Sequence, residues 1–137
     1  MKIRIFTNVI KDQNDRLQFP YGIAEFRSFL SRHFITADQP YHHGSTLAQE
    51  KDIMIWAFKD ETDKWYLIGD GFVKYKERNK DGSYNYYIES ARLYPRNVPL
   101  EELSFFGKAK ECLYFGYTVE WDQYQEILEK AIEPLAT

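Results

Sequence analysis

Cysteine is nearly absent from this sequence of 137 residues, with Cys112 alone. A lone thiol excludes an intrachain disulfide framework and a cysteine-built zinc cluster, and it gives no sign of an oxidising compartment. Glycine and proline are also few, seven and five, which removes the low-complexity and collagenous classes. No apolar run approaches the roughly 20 residues of a membrane-spanning helix, and Met1-Lys2-Ile3-Arg4-Ile5-Phe6 alternates where a secretory leader would be continuously apolar. The chain is therefore expected in the cytoplasm, without a membrane partner. Neither sign of charge dominates: 18 basic against 21 acidic side chains leave a net −3, so bulk attraction to a polyanion is excluded and a phosphate-binding surface has to be a local patch. Gly69-Asp70-Gly71 lacks the rest of any nucleotide-binding fingerprint. His42 and His43 are adjacent instead of four apart and have no carboxylate signature beside them, so they read as a solvated loop and no metal or cofactor is assigned. Ser45 and Thr46 stand outside any Gly-x-Ser-x-Gly elbow, and no catalytic residue is assigned either.

Aromatic side chains are what the chain has in abundance. Eleven Tyr, ten Phe and three Trp are too many to leave in water, so residues 1–137 are expected to form a single domain with a substantial core. The strongest pattern lies at 53–103. Ile53-Met54-Ile55-Trp56-Ala57-Phe58 is too short for an ordinary helix and is bounded by charge, which reads as a buried strand. A second, bent strand over 65–75 carries Gly69 and Gly71, where a bulge or sharp bend needs a residue without a Cβ. Asp81-Gly82 suggests a type I′ hairpin turn into a third strand over 84–94, ended by Pro95 and Pro99.

On either side of this unit the pattern is simpler. Ile3, Ile5 and Thr7 alternate with Lys2, Arg4 and Phe6, a first strand with one buried face that stops near Asn8. Ile23, Phe26, Phe29 or Leu30, and His33 or Phe34 fall at helical spacing, and residues 36–49 read as a loop. Val98-Pro99-Leu100-Glu101-Glu102-Leu103 suits a short helical turn with Pro99 at its first position, 105–110 reads as irregular, and 112–119 as a strand. Trp121, Tyr124, Ile127 or Leu128, and Ala131 share one face of a closing amphipathic helix.

Three stretches, taken in order, resemble the PUA-like superfamily and within it the EVE domain, with ASCH and YTH domains as relatives. Asp52-Ile53-Met54-Ile55-Trp56-Ala57-Phe58 is similar to that family's Asp, buried strand and pocket-facing side chains. Ile68-Gly69-Asp70-Gly71-Phe72-Val73 is similar to its G-x-G/A-x-V strand, and Ala91-Arg92-Leu93-Tyr94-Pro95-Arg96-Asn97-Val98-Pro99-Leu100 to its Pro-x-x-Val-Pro-Leu-type turn. The tail from Phe115 to Leu128 is similar to the family's last strand and closing helix, so about two thirds of the chain is covered. The N-terminal third departs from the family's pattern. The resemblance implies an α+β fold, a bent and partly closed β-barrel of five or six strands with an early helix and a C-terminal one. It also implies a non-catalytic module that binds DNA or RNA and recognises an unstacked base, modified or not.

The residues expected to carry such binding are of two kinds. A base needs aromatic faces and a few polar groups, and Trp56, Phe58 and Trp65 supply the rings, with Thr7, Asn8, Tyr41 and Ser45 to read its edge. The bland alternative is that the rings fill the core. Lys74, Lys76 and Arg78 are spaced by two, so on a regular strand they share a face fit to track phosphates, with Arg92 nearby. Here the bland alternative is a strand edge guarded by lysines. Two other functions stay open: a small ASCH-like hydrolase of modified nucleosides, which needs a poised Lys, Glu or His, and a protein-interaction accessory module, favoured if the chain's own side chains fill the aromatic pocket.

Overall fold

The computed structural model describes residues 1–9, 22–32, 41–43, 48–112 and 117–132. Their order is β1 (Ile3–Val9), α1 (Ile23–Leu30), β2 (Tyr41–His43), β3 (Ile53–Lys59), β4 (Trp65–Arg78) and β5 (Tyr84–Pro99). A 3₁₀ turn (Leu100–Glu102), α2 (Phe106–Cys112), β6 (Thr118–Val119) and α3 (Trp121–Ala131) follow. The strands form one mixed sheet in the order β2-β5-β4-β3-β1-β6. The fold is α+β, and the sheet is open, with β2 and β6 at its edges. The early and terminal helices stand where the spacing put them.

Each face of the sheet has its own core, because β3 is apolar on both sides. Ile55 and Ala57 point into one core, with Ile3, Ile5, Leu67, Tyr124 and Ile127, and α2 and α3 cover it. Met54, Trp56 and Phe58 point into the other, with Phe6, Phe26 and Leu30, under α1. A strand buried on both faces has to read as a continuous apolar run, which is why its alternation is invisible in sequence. β1 runs parallel to β3 in unbroken register from Ile3↔Ile53 to Val9↔Lys59. Phe6 is therefore buried too, on the face opposite Ile3 and Ile5, so β1 has two buried faces instead of one.

Asp52 fixes the entry to β3. One carboxylate oxygen accepts the Lys2 N–H at 2.9 Å, and the other accepts the Gln49 N–H at 2.9 Å and the Arg4 Nε at 3.3 Å. Although only 5% exposed, Asp52 thus has its charge matched by an arginine and two backbone donors.

The β4–β5 ladder breaks register between Leu67 and Gly69, Asp70 and Phe72, and Val73 and Tyr75. At the first break Gly69 faces Leu93 and Leu67 faces Val98, so β5 carries extra residues, among them the exposed Pro95. Proline there costs no ladder hydrogen bond, and β5 runs on to Pro99 instead of ending at residue 94. The hairpin turn also differs from type I′. Gly82 has φ 90, but Asp81 is not among the positive-φ residues, and the Gly82 N–H bonds the Asn79 carbonyl at 3.1 Å. A type I′ turn needs positive φ at both central residues.

Residues 105–110, expected to be irregular, belong mostly to α2. Phe105 and Ala109, four apart, are both buried, and the Ala109 N–H bonds the Phe105 carbonyl at 3.1 Å. Of the strand expected over 112–119 only Thr118–Val119 is found: Cys112 ends α2, and 113–116 lie outside the described residues. Trp121 is 58% exposed, so the buried stripe of α3 is Tyr124, Ile127 and Ala131 without it. Among the described residues no helix is long and apolar enough to cross a membrane.

A Cβ at Gly69 would lie 2.2 Å from the Arg92 carbonyl oxygen, a backbone atom that cannot swing away. Gly69→Ala is expected to lower stability by about 1–3 kcal/mol or more in chemical denaturation. Gly107→Ala, whose added methyl meets nothing within 4 Å, is expected to raise it by up to about 1 kcal/mol.

Candidate nucleic-acid interface

The three candidate stacking rings do not meet. Trp56 and Phe58 are 1% and 0% exposed, and Phe58 stacks on Phe26 with ring centroids 4.9 Å apart. Trp65 is 9% exposed and belongs to the core on the other face of the sheet. Among the described residues, then, these rings pack the interior, as the bland alternative has it. Thr7 lies half-buried on β1 opposite Ala57, while Asn8 faces Phe58 and Tyr41 faces Tyr86 in the ladders. The side chains of Asn8 and Tyr41, and all of Ser45, lie outside the described residues. A surface depression of about 100 Å³ beside Trp65, Pro99 and Phe106 is smaller than the roughly 300 Å³ at which ligand pockets begin.

Arg92, expected on phosphates, is about half exposed and spends its guanidinium on a buried carboxylate of the same chain. It faces Asp70 across the ladder, and its Nε and Nη2 donate to the two carboxylate oxygens at 2.9 and 3.2 Å. The hydroxyls of Tyr94 and Tyr124 donate to the same Asp70 carboxylate at 2.8 and 2.7 Å. Arg92 Nη2 also reaches the Tyr124 oxygen, at 3.1 Å. Four donors thus converge on a carboxylate only 4% exposed, joining β4, β5 and α3. Burial, then Asp70, pushes the Tyr124 hydroxyl up to about 12, and the same causes raise Tyr94. The hydrogen bond to Asp70 holds Arg92 above the ordinary arginine value, with burial opposing it. Sequence reading missed this cluster, although an Asp between two glycines in an apolar run is a visible oddity.

The other cations expected on phosphates stand on the β4–β5 hairpin. β3 pairs with β4 only as far as Phe72, so residues 74–78 have β5 on one side and, among the described residues, no strand on the other, where the Lys76 N–H reaches a Glu50 carboxylate oxygen at 3.4 Å. Val73 faces Ile88 and Tyr75 faces Tyr87, which leaves Lys74 as the extra residue of a bulge. The bulge breaks the period of two, so Lys74 does not continue the row of Lys76 and Arg78. Lys76 and Arg78 face Tyr86 and Tyr84 respectively, and the Lys76 ammonium lies 4.4 Å from the Tyr84 ring centroid and 5.6 Å from that of Tyr86. Burial, then repulsion from Arg4, lowers the Lys76 pKa; burial, then Tyr84, pushes Tyr86 up to about 12. Lys74 and Arg78 are exposed.

Among the described residues no group of three or more His, Cys, Asp or Glu is placed to hold a metal ion. Comparison of the chain with models of known protein families, with curated proteins and with solved structures returned no match.

Asp70→Ala, which leaves two buried phenols without their acceptor, is expected to cost roughly 2–5 kcal/mol, and Tyr124→Phe about 1–3 kcal/mol. The pH dependence follows from the raised Tyr124 value. The hydroxyl stays protonated in the folded chain above about pH 10, where an unfolded tyrosine ionises. Its stabilisation is therefore complete below about pH 10 and is lost as the pH climbs through about 12. Denaturation at a series of alkaline pH values should show a shallower decline for Tyr124→Phe, with Tyr86 and Tyr94 keeping the remainder.

Proposed function

We propose that this chain is a non-catalytic nucleic-acid-binding module that holds phosphates along the β4–β5 hairpin. One observation carries the reading. Lys74, Arg78 and Lys80 stand close together on one hairpin, exposed and without an ion pair among the described residues; Lys2, Arg32, Lys51, Lys108 and Lys110 likewise lack one but lie elsewhere in the chain, and Arg4, Lys59, Lys64, Arg92 and Arg96 each hold a carboxylate. Cations that neutralise acids of the same chain have little left for a polyanion; those on the hairpin, with Lys76, outnumber its acids Glu77 and Asp81. In a protein of net charge −3 this is the local patch that phosphate binding requires. The three register breaks in the β4–β5 ladder, each a place where strands bend, support the finer reading of the sheet as a PUA-like, partly closed barrel. Base recognition on this reading falls to rings outside the core, because those of Trp56 and Phe58 are inside it.

A protein-interaction module is the second reading, and it too has a specific observation behind it. The ring of Phe26 occupies the position against Phe58 where a stacked base would lie. Lysines at an open strand edge also serve to keep other strands from pairing there.

Salt-dependent binding separates the two. Titrated with labelled oligonucleotides, the parent protein is expected to show saturable binding that weakens steadily as salt is raised. Lys74→Glu with Arg78→Glu should weaken every oligonucleotide alike and reduce the slope of log affinity against log salt by about 0.7 per lost contact on a single strand. Stability should stay within about 0.5 kcal/mol of the parent, since both side chains are exposed. An absence of saturable binding at low salt leaves the interaction module.

A further inference from the structure

We infer that the hairpin takes single-stranded nucleic acid, with bases stacked on Tyr75 and Tyr87. This rests on the nucleic-acid reading above and names its substrate class and the rings that meet it.

The bulge at Lys74 decides where Tyr75 points. On an unbroken strand Tyr75 would lie on the same face as Val73, which is buried. With one residue inserted, Tyr75 comes opposite Tyr87, on the other side of the hairpin from Lys76, Tyr84 and Tyr86. Tyr75 is consequently 49% exposed; among the described residues only Met1, Trp121 and Ile132 join it as exposed large hydrophobic side chains. Its ring and that of Tyr87 lie 5.6 Å apart and tilted by 45°, and neither hydroxyl has a hydrogen bond among the described residues. The pair forms an aromatic surface that the fold itself does not use. Bulges recur where a side chain has to be re-aimed.

Cations stand near these rings: Lys74 lies in the bulge beside Tyr75 and Lys80 in the turn, while Arg78 is on the opposite face of the hairpin with Lys76. An exposed ring, here Tyr75 against the half-buried Tyr87, with cations nearby supplies the components of single-strand binding, in which bases stack and phosphates are neutralised. Glu77, on the same face as Tyr75, lies across the ladder from Asn85 and accepts a hydrogen bond from its amide.

A duplex fits less well, for a steric reason. A two-stranded ribbon enters the major groove, which is about 12 Å wide. Here β2 adds a third strand to β5 at Tyr84, Asn85 and Tyr86, facing the part of β4 that holds Lys76 and Arg78. At about 4.8 Å between neighbouring strands, the outer backbones alone lie about 10 Å apart, before any side chain is added. The end of this hairpin is too broad for the groove.

The test is fluorescence anisotropy on the whole chain with two probes, a labelled oligothymidylate and a DNA duplex of equal length. The parent is expected to bind the single strand at least tenfold more tightly. Tyr75→Ala should weaken single-strand binding roughly five- to hundredfold while leaving the duplex within about twofold, and Tyr75→Phe should retain single-strand binding. If the duplex binds as tightly as the single strand, or if Tyr75→Ala leaves single-strand affinity unchanged, the inference is overturned and the phosphate-binding reading stands. If neither probe shows saturable binding, that reading falls and this inference with it.

Discussion

The buried Asp70 carboxylate is the interaction on which the rest of this structure depends. An unpaired carboxylate at that depth would cost several kcal/mol, so every donor around it is held to a narrow position. Arg92 fixes the register of β5 on β4, Tyr94 carries the constraint into the first core, and Tyr124 ties down the middle of α3. Gly69 and Gly71 on either side admit the Arg92 backbone and the Ile88 side chain where a Cβ would collide. A polar cluster of this kind works as one unit: with Asp70 removed, the Tyr94 and Tyr124 hydroxyls are buried without their acceptor.

This constraint also divides the molecule. Where β4 lies between β3 and β5, its side chains are buried and its charges neutralised. Past Phe72 β3 no longer pairs with it, and the hairpin carries the exposed Tyr75 and cations without an ion pair among the described residues. Arg4 and Arg92, the cations beside the two buried carboxylates, already have those carboxylates as partners. That division gives Arg92 a structural task and leaves the hairpin as the place where charge and aromatic surface are both available.

The sheet and its helices were legible where apolar spacing had one cause. The periods of 23–30 and 121–131 come from a single buried face, and both helices are present. Where two causes overlap, sequence reading fails. Trp56 and Phe58 share a face by strict alternation, but alternation does not say whether that face meets a ligand or Phe26. Lys74, Lys76 and Arg78 looked like one row until a single extra residue at Lys74 shifted the phase. Pro95 looked like a strand end because the extra residues that accommodate it depend on a partner strand almost thirty residues earlier in the chain. The Asp70 cluster unites residues 22 to 54 positions apart, a distance over which no local pattern reaches. In α2, Gly107 obscured a helix whose stability comes from burying Phe105 and Ala109 against the first core.

Backbone amide chemical shifts followed during titration with a single-stranded oligonucleotide test the central claim most directly, because they locate the contact without a mutation. The account predicts changes concentrated in residues 74–88, with the amides of α1 and of β3 around Trp56 and Phe58 left in place. Changes centred on β3 and α1, or on the face of α3 around Trp121, would contradict it, as would a spectrum that does not respond at all.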